Sequence, residues 1–495
     1  MDNIGDKAIK ATKWSLATQI ISKLIQPITT LILAHILTPE IFGVIALVTM
    51  VTSFADMFSD AGFQKYLIQH EFNDYKRYDL SCNVAFWTNL GFSLALWLLI
   101  SLCCSPIAKL LGNDSIGFAI VVACISLPLT SAVSVQTAVY QRKFDFKTLF
   151  YSRVGSSFLI LLISVPLAII GFGYWSMITG TIISNLFLAV WLTVCSSWKP
   201  SFMYSFSELK SMFSFSIWTL IEALSIWFTN WVGAFILGSF MSTYYLGLYN
   251  TSVSLVNAVV AIITGAVNPI VFASLSRFQN NKAKFDSVFY KMQKYLGLAV
   301  VPLSFLLFIF SGMIVDLYLG HAWLEASTFF GLYALTSAVV VVFGHVASDA
   351  YRALGKPIYS LFAQIGFLMF LIPALFAGVH KGFAFLSVLV PFARLLGSIL
   401  THSFMCKYYM HLSPLKMVSG MKYIYIIALF LSVPSLVCIY LFKINYFEQI
   451  ILLFIDVFLF IYAYFKCKDT HDDICDLFKR FGFSLKTKNK AQDIG

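Results

Sequence analysis

Between short polar loops this chain carries about fourteen apolar runs, each of about twenty residues or more, and that repetition leaves few ways to fold. A helix rises about 1.5 Å per residue, so each run can cross a hydrocarbon core of about 30 Å. Inside lipid every backbone N–H and C=O must find its partner within the protein, which a helix provides and an irregular segment does not. The runs lie near residues 14–37, 41–62, 81–104, 116–139, 149–170, 173–195, 213–238, 243–270, 291–315, 326–350, 357–378, 382–406, 422–442 and 446–466. Composition agrees. Charged residues make up 12% of the chain, about half of what a soluble surface needs, and mean hydropathy is +0.83. The predicted fold class is therefore an all-α integral membrane protein. The first run, starting at Trp14, is as long as a full span and has no small-residue cleavage site behind it, so a cleaved signal peptide is not expected.

Alternate loops differ sharply in charge. With the N-terminus placed in the cytoplasm, the inside segments hold about 29 of the 34 Lys and Arg residues, and the outside loops hold only Lys109, Lys381 and Lys443. Both termini are accordingly expected on the cytoplasmic side. The net charge of +11 follows from this asymmetry, and no nucleic-acid partner is implied. Twelve runs divide into two sixes, giving expected segments 1–200 and 201–410, two further helices in 411–467 and a cytoplasmic tail over 468–495. The two sixes share residues in register. Thr38-Pro-Glu-Ile-Phe-Gly43 parallels Ser242-Thr-Tyr-Tyr-Leu-Gly247, and Tyr140 and Gly155 match Tyr351 and Gly366 at one offset. A repeat of six helices preserves orientation, so the halves are expected to be related by an axis along the membrane normal.

Ionisable residues inside a span are costly unless they face a cavity or a partner, which makes them the first candidates for a site. Lys23, Glu222 and Arg394 fall near mid-depth on the first, seventh and twelfth runs. Lys23 and Arg394 are predicted to bind substrate, with snorkelling or a structural pairing to Glu222 as the plain alternative. Glu222 is predicted either to couple an ion or to hold a structural salt bridge. Pro27, four residues after Lys23, removes a backbone hydrogen bond there, and Pro391 precedes Arg394; both are hinge candidates. Asp349 is a second ion-coupling candidate. Arg352 and Arg142, at the inside ends of their runs, are placed to attract an anionic headgroup or to serve as ordinary positive-inside charge. Asp56, Asp60 and Asp456 are expected near interfaces. Cys467, His471 and Cys475 form one helical stripe, but three ligands fall short of a usual structural zinc set, and no metal or other cofactor is predicted.

The segments Lys13-Trp14-Ser15, Leu37-Thr38-Pro39-Glu40-Ile41-Phe42-Gly43, Ser59-Asp60-Ala61-Gly62-Phe63 and Leu67-Ile68-Gln69 resemble the oligosaccharide flippases of polysaccharide biosynthesis. The likeness is to the colanic-acid and teichuronic-acid exporter type of Wzx protein, in the multidrug/oligosaccharidyl-lipid/polysaccharide (MOP) exporter superfamily. The resemblance implies a V-shaped pair of six-helix bundles plus two C-terminal helices, in a bacterial cytoplasmic membrane. It implies as substrate an oligosaccharide repeat unit on undecaprenyl pyrophosphate, driven by H+ or Na+ or by the membrane potential, with a polysaccharide polymerase and chain-length proteins as partners. Related lipid II flippases carry a Ser-Arg pair on the first helix; Ser22-Lys23 resembles it, with Lys in place of the two-pronged Arg. No Gly-rich phosphate loop is present and the loops leave little room for a catalytic domain, so a transporter is expected and an enzyme is not. The competing readings are a drug or metabolite antiporter of the same superfamily, whose cavity should favour acidic groups, and a non-transporting scaffold.

These residues predict that Lys23→Ala and Arg394→Ala each abolish export while the protein still inserts. Normal export at matched protein levels would remove them from the site. Glu222→Gln should alter ion dependence, and an unchanged dependence would leave Glu222 structural.

Overall fold

The computed structural model describes residues 2–60, 63–72, 74–356, 358–467 and 470–471. Side chains at 2–13, 16, 19–20, 23, 59–60, 75, 213–223, 266 and 269 fall outside that description. Lys23, Glu222, Asp60 and Cys475, singled out from the sequence, therefore lie outside the described residues. Within them the regular structure is all helical, and twelve helices are long and apolar enough to cross a membrane. These twelve coincide with twelve of the runs read from the sequence. The other two runs fall on the first and tenth helices, whose described apolar stretches are Leu24–Ile36 and Leu224–Phe240.

Contacts divide the chain into two compact units. The first comprises Met1–Ala258 with Tyr318–Trp323, and the second Val259–Leu317 with Leu324–Gly495. In the first unit the helices are α1 (Asp2–Ile36), α2 (Pro39–Asp60), α3 (Phe63–Gln69), α4 (Tyr75–Leu102), α5 (Cys104–Leu110), α6 (Gly117–Ala123), α7 (Ser126–Arg142), α8 (Phe146–Ile169), α9 (Tyr174–Cys195) and α10 (Phe206–Phe240). Helix α11 (Thr243–Arg277) runs from the first unit into the second. The fourth apolar run is one span built from two helices. Pro128 has no N–H to offer the Cys124 carbonyl, so α6 stops and α7 starts again after a tight turn at Cys124 and Ile125. At the lysine-rich end Arg77 pairs with Glu208 at 2.8 Å, and Ser81 donates to the same carboxylate, joining the starts of α4 and α10.

The second unit holds α12 (Lys282–Ile309), α13 (Ser311–Leu319), α14 (Ser327–Val339), α15 (Val346–Ala353), α16 (Ile358–Lys381), α17 (Phe383–Tyr409), α18 (Pro414–Ser419), α19 (Lys422–Tyr440) and α20 (Tyr446–Lys466). A π-helical segment, Val340–His345, joins α14 to α15. Helix α17 continues through Pro391, as α1 continues through Pro27. Asp456 departs from expectation. It is 2% exposed on the seam of α19 and α20, where Ser435 donates to it at 2.9 Å, because it sits mid-helix rather than at an end.

The register shared by the two sixes has a physical counterpart in the first unit. Gly43 on α2 and Gly247 on α11 touch backbone to backbone, each standing in the other's repeat position. A Cβ on Gly43 would collide with the Thr243 carbonyl oxygen and lie 3.1 Å from the Gly247 nitrogen. A Cβ on Gly247 would collide with the Pro39 carbonyl oxygen and lie 3.1 Å from the Gly43 nitrogen. Residues 318–323 pack beside this crossing. Tyr318 donates to the Pro27 carbonyl at 2.5 Å, and burial pushes its hydroxyl up to about 12, so it remains a donor. The buried Trp323 indole donates to the Ala34 carbonyl at 3.1 Å and meets Phe42 edge-on, with centroids 5.1 Å apart.

Gly43→Ala and Gly247→Ala should each lower the melting temperature of the purified protein, whereas Gly91→Ala, whose methyl would meet no atom within 4 Å, should not. Equal melting temperatures for all three would refute the backbone contact.

Candidate functional site

The first unit has a cavity of about 180 Å³ between α1, α8 and α9, lined in part by Gln26, Thr29, Ser157, Ser164 and Thr181. Most of these hydroxyls are spent on their own helices. Thr29 donates to the Ile25 carbonyl at 2.9 Å, Ser157 to Arg153 at 2.9 Å and Thr181 to Met177 at 2.9 Å. Ser164 and, one turn from the cavity on α1, Ser22 each present a buried hydroxyl with no hydrogen-bond partner among the described residues.

Arg142 occupies a different kind of position. Its guanidinium donates to the carbonyls of Leu67 and His70, both at 2.8 Å, and of Ile68 at 3.4 Å. It also lies over the rings of Phe72 and Tyr78, at 4.9 and 5.0 Å from their centroids. Those are the orphan carbonyls at the C-terminal end of α3, so the geometry of Arg142 is that of a helix cap. The short helix it caps hides in what the sequence reads as a loop.

Arg394 lies on the inner side of its helix. It is buried on α17, and its guanidinium carbon lies 3.6 Å from the centre of the Tyr333 ring on α14. A desolvated contact of that kind stabilises a cation by about 2 kcal/mol. Its Nη1 is buried with no hydrogen-bond partner among the described residues. An unpaired N–H donor in such a place is costly and is matched to an anionic oxygen. Asp349 is 5% exposed, accepts from Arg352 at 2.8 Å through Oδ1, and has no hydrogen-bond partner for Oδ2 among the described residues. The Arg352 side chain is half-exposed, so the pair spans the edge of the second unit's interior.

The second unit therefore holds Arg394 on α17 and the Asp349–Arg352 pair on α15, while Ser22, Pro27 and Arg142 belong to the first. The sequence reading passed over what surrounds Arg394. From it along α17, Ser398, His402 and Cys406 follow at four-residue steps, all buried on one stripe. Facing them stand Gly344 and His345 of the π segment and Tyr351 of α15, whose hydroxyl lies 3.4 Å from His402 Nδ1. The four-residue spacing was the available signal.

Known proteins resemble the chain in sequence and in fold. Residues 32–328 match the model of a family described as "Polysaccharide biosynthesis protein". The succinoglycan biosynthesis transport protein ExoT of Rhizobium meliloti (strain 1021) is 23% identical over 330 residues, covering 66% of this chain and 65% of that relative. The lipopolysaccharide biosynthesis protein WzxC of Escherichia coli (strain K12) is 19% identical over 460 residues, 88% of each chain. Among solved structures, an inward-closed lipid II flippase MurJ superposes with a TM-score of 0.71 at 14% identity, over 95% of this chain and 99% of that one. The resemblance read from residues 13–69, to the proteins of polysaccharide biosynthesis, is thereby borne out.

Arg142→Lys, which keeps the charge and loses the fork, should lower the melting temperature by several degrees, and Arg352→Lys should leave it within about a degree. Indistinguishable melting curves would free Arg142 from its cap.

Proposed function

The chain belongs to the polysaccharide biosynthesis protein family, and on that premise we propose that this multi-pass membrane protein flips an oligosaccharide repeat unit carried on a polyprenyl pyrophosphate. The carrier is undecaprenyl pyrophosphate and the direction is from the inner to the outer leaflet of a bacterial cytoplasmic membrane, for surface polysaccharide synthesis. Both termini lie on the cytoplasmic side, in keeping with the lysine and arginine asymmetry. The chain acts as a transporter by alternating access and not as an enzyme. Polymerase and chain-length proteins receive the delivered unit.

The observation that carries this reading is Arg394, a buried guanidinium whose Nη1 has no partner among the described residues, on a helix apolar enough to cross a membrane. A pyrophosphate headgroup is the part of such a substrate that cannot enter lipid alone, and a cation inside the bundle lowers that barrier. The apolar polyprenyl tail needs no cavity and stays in the bilayer beside the helices. A drug antiporter for cations would place carboxylates at this depth, whereas the buried charge here at Arg394 is positive.

Deleting the gene and extracting lipids tests the proposal. Polyprenyl-pyrophosphate-linked oligosaccharide should accumulate and surface polymer should fall, with rescue by the wild-type chain and at least tenfold weaker rescue by Arg394→Ala at equal protein level. Unchanged intermediates and polymer, in a strain with no second flippase, would overturn it.

A further inference from the structure

Arg394, Ser398, His402 and Cys406 make an unbroken polar stripe on α17, running from mid-helix toward the lysine-rich end. His402 is 8% exposed and both its ring nitrogens have defined surroundings. Tyr351 places its hydroxyl 3.4 Å from Nδ1 and 3.9 Å from Cys406 Sγ, with its ring stacked on the imidazole at 6.2 Å. On the other side a Cβ at Gly344 would lie only 3.2 Å from Nε2 and 3.6 Å from the Ser398 hydroxyl. Gly344 belongs to the π segment, whose wider turn sets it against α17. The Ser398 hydroxyl is buried and has no hydrogen-bond partner among the described residues.

The repeat supplies a control. Tyr140 stands in the first half where Tyr351 stands in the second, and its hydroxyl donates to the Leu192 backbone carbonyl on α9 at 3.1 Å. That contact ties a fourth span to a sixth through a backbone carbonyl. In the second half the equivalent tyrosine meets an imidazole instead, so packing alone does not require His402.

The titratable and charged groups around His402 are few. The π segment brings His345, with Arg352 acting on it; α15 brings Tyr351 and the Asp349–Arg352 pair; α17 itself brings Cys406 and Arg394; and α12 brings Lys282 toward Cys406. Among the described residues no carboxylate is hydrogen-bonded to His402. An imidazolium here has no counter-charge from the protein, and a buried charge needs one. The missing anion is the one that Arg394 is placed to receive.

We propose that His402 is a proton-binding site, loaded when an anionic headgroup reaches Arg394, so that proton and substrate favour each other's binding. This rests on the phosphate-linked substrate proposed above. Eight residues of helix separate the two by about 12 Å, and at an effective dielectric of about 20 one negative charge there raises proton affinity about tenfold. Coupling of this kind is reciprocal, so protonation raises affinity for the anion equally. An imidazole, a phenol and a thiol are proton-exchanging groups and lack the oxygen ligands of a sodium site.

Full-length protein in lipid nanodiscs, with isotope-labelled histidine, gives the test by NMR titration between about pH 4 and about pH 9 with and without farnesyl pyrophosphate. His402→Gln assigns the resonance. Its midpoint should rise by about one pH unit with farnesyl pyrophosphate, stay put with farnesol, and lose the rise in Arg394→Gln. Tyr351→Phe, which removes only a hydroxyl, should move the free midpoint and so identifies the resonance even if His402→Gln misfolds. A His402 resonance that does not titrate in either condition, or a midpoint indifferent to the pyrophosphate, overturns the proposal. A midpoint that rises while the deletion strain accumulates no lipid-linked intermediate supports the proton site and removes the substrate reading instead.

Discussion

Hydrocarbon offers nothing to a free peptide group, and that constraint decides where this chain can be irregular. Among the described residues, two departures from continuous α-helix in the middle of a span are the break at Cys124 and Ile125 and the π segment Val340–His345. They fall in the fourth and tenth runs, equivalent members of the two sixes. Both are well covered by protein. Half of the most apolar stretch of Asp114–Arg142 is buried, and 78% of that of His321–Ala353, against 17% for Phe146–Ile169 and for Tyr446–Lys466. Lipid-facing helices have to be regular, so the polar chemistry collects around the helices that are not.

Much of this was legible beforehand. The spans could be read because twenty apolar residues in a row have little other use, and the repeat register of Thr38–Gly43 with Ser242–Gly247 proved to be a physical meeting of the two glycines. Arg394 could be read because a charge at mid-depth must be buried for a reason. The break before α7 was readable in Pro128, although the run was taken as continuous. Other features left weaker traces. Nothing in Val340–His345 distinguishes a π segment from an ordinary turn of helix, since the difference lies in which carbonyl each N–H chooses. Arg142 looks like any inside-loop charge until α3 supplies carbonyls for it. Asp456 was placed at an interface, whereas its depth buries it beside Ser435.

His402 shows the limit most clearly. A single histidine on an apolar helix says little, because the same residue could fill a core position. Its meaning depends on three other features: the Tyr351 hydroxyl, the bare Gly344 backbone, and Ser398 one turn away, whose hydroxyl has no partner among the described residues. Each of these is ordinary in the sequence. Their juxtaposition follows from how α14, the π segment and α15 lie along α17, and spacing within a single helix cannot report it.

The crossing of Gly43 and Gly247 has a mechanical consequence. Side-chain contacts are elastic: rotamers turn and methyl groups slide, so two helices joined by them can drift apart by degrees. Where main chain rests on main chain, nothing is left to yield. Such a contact acts as a doorstop: α2 and α11 can come no closer than the van der Waals radii of their backbone atoms allow.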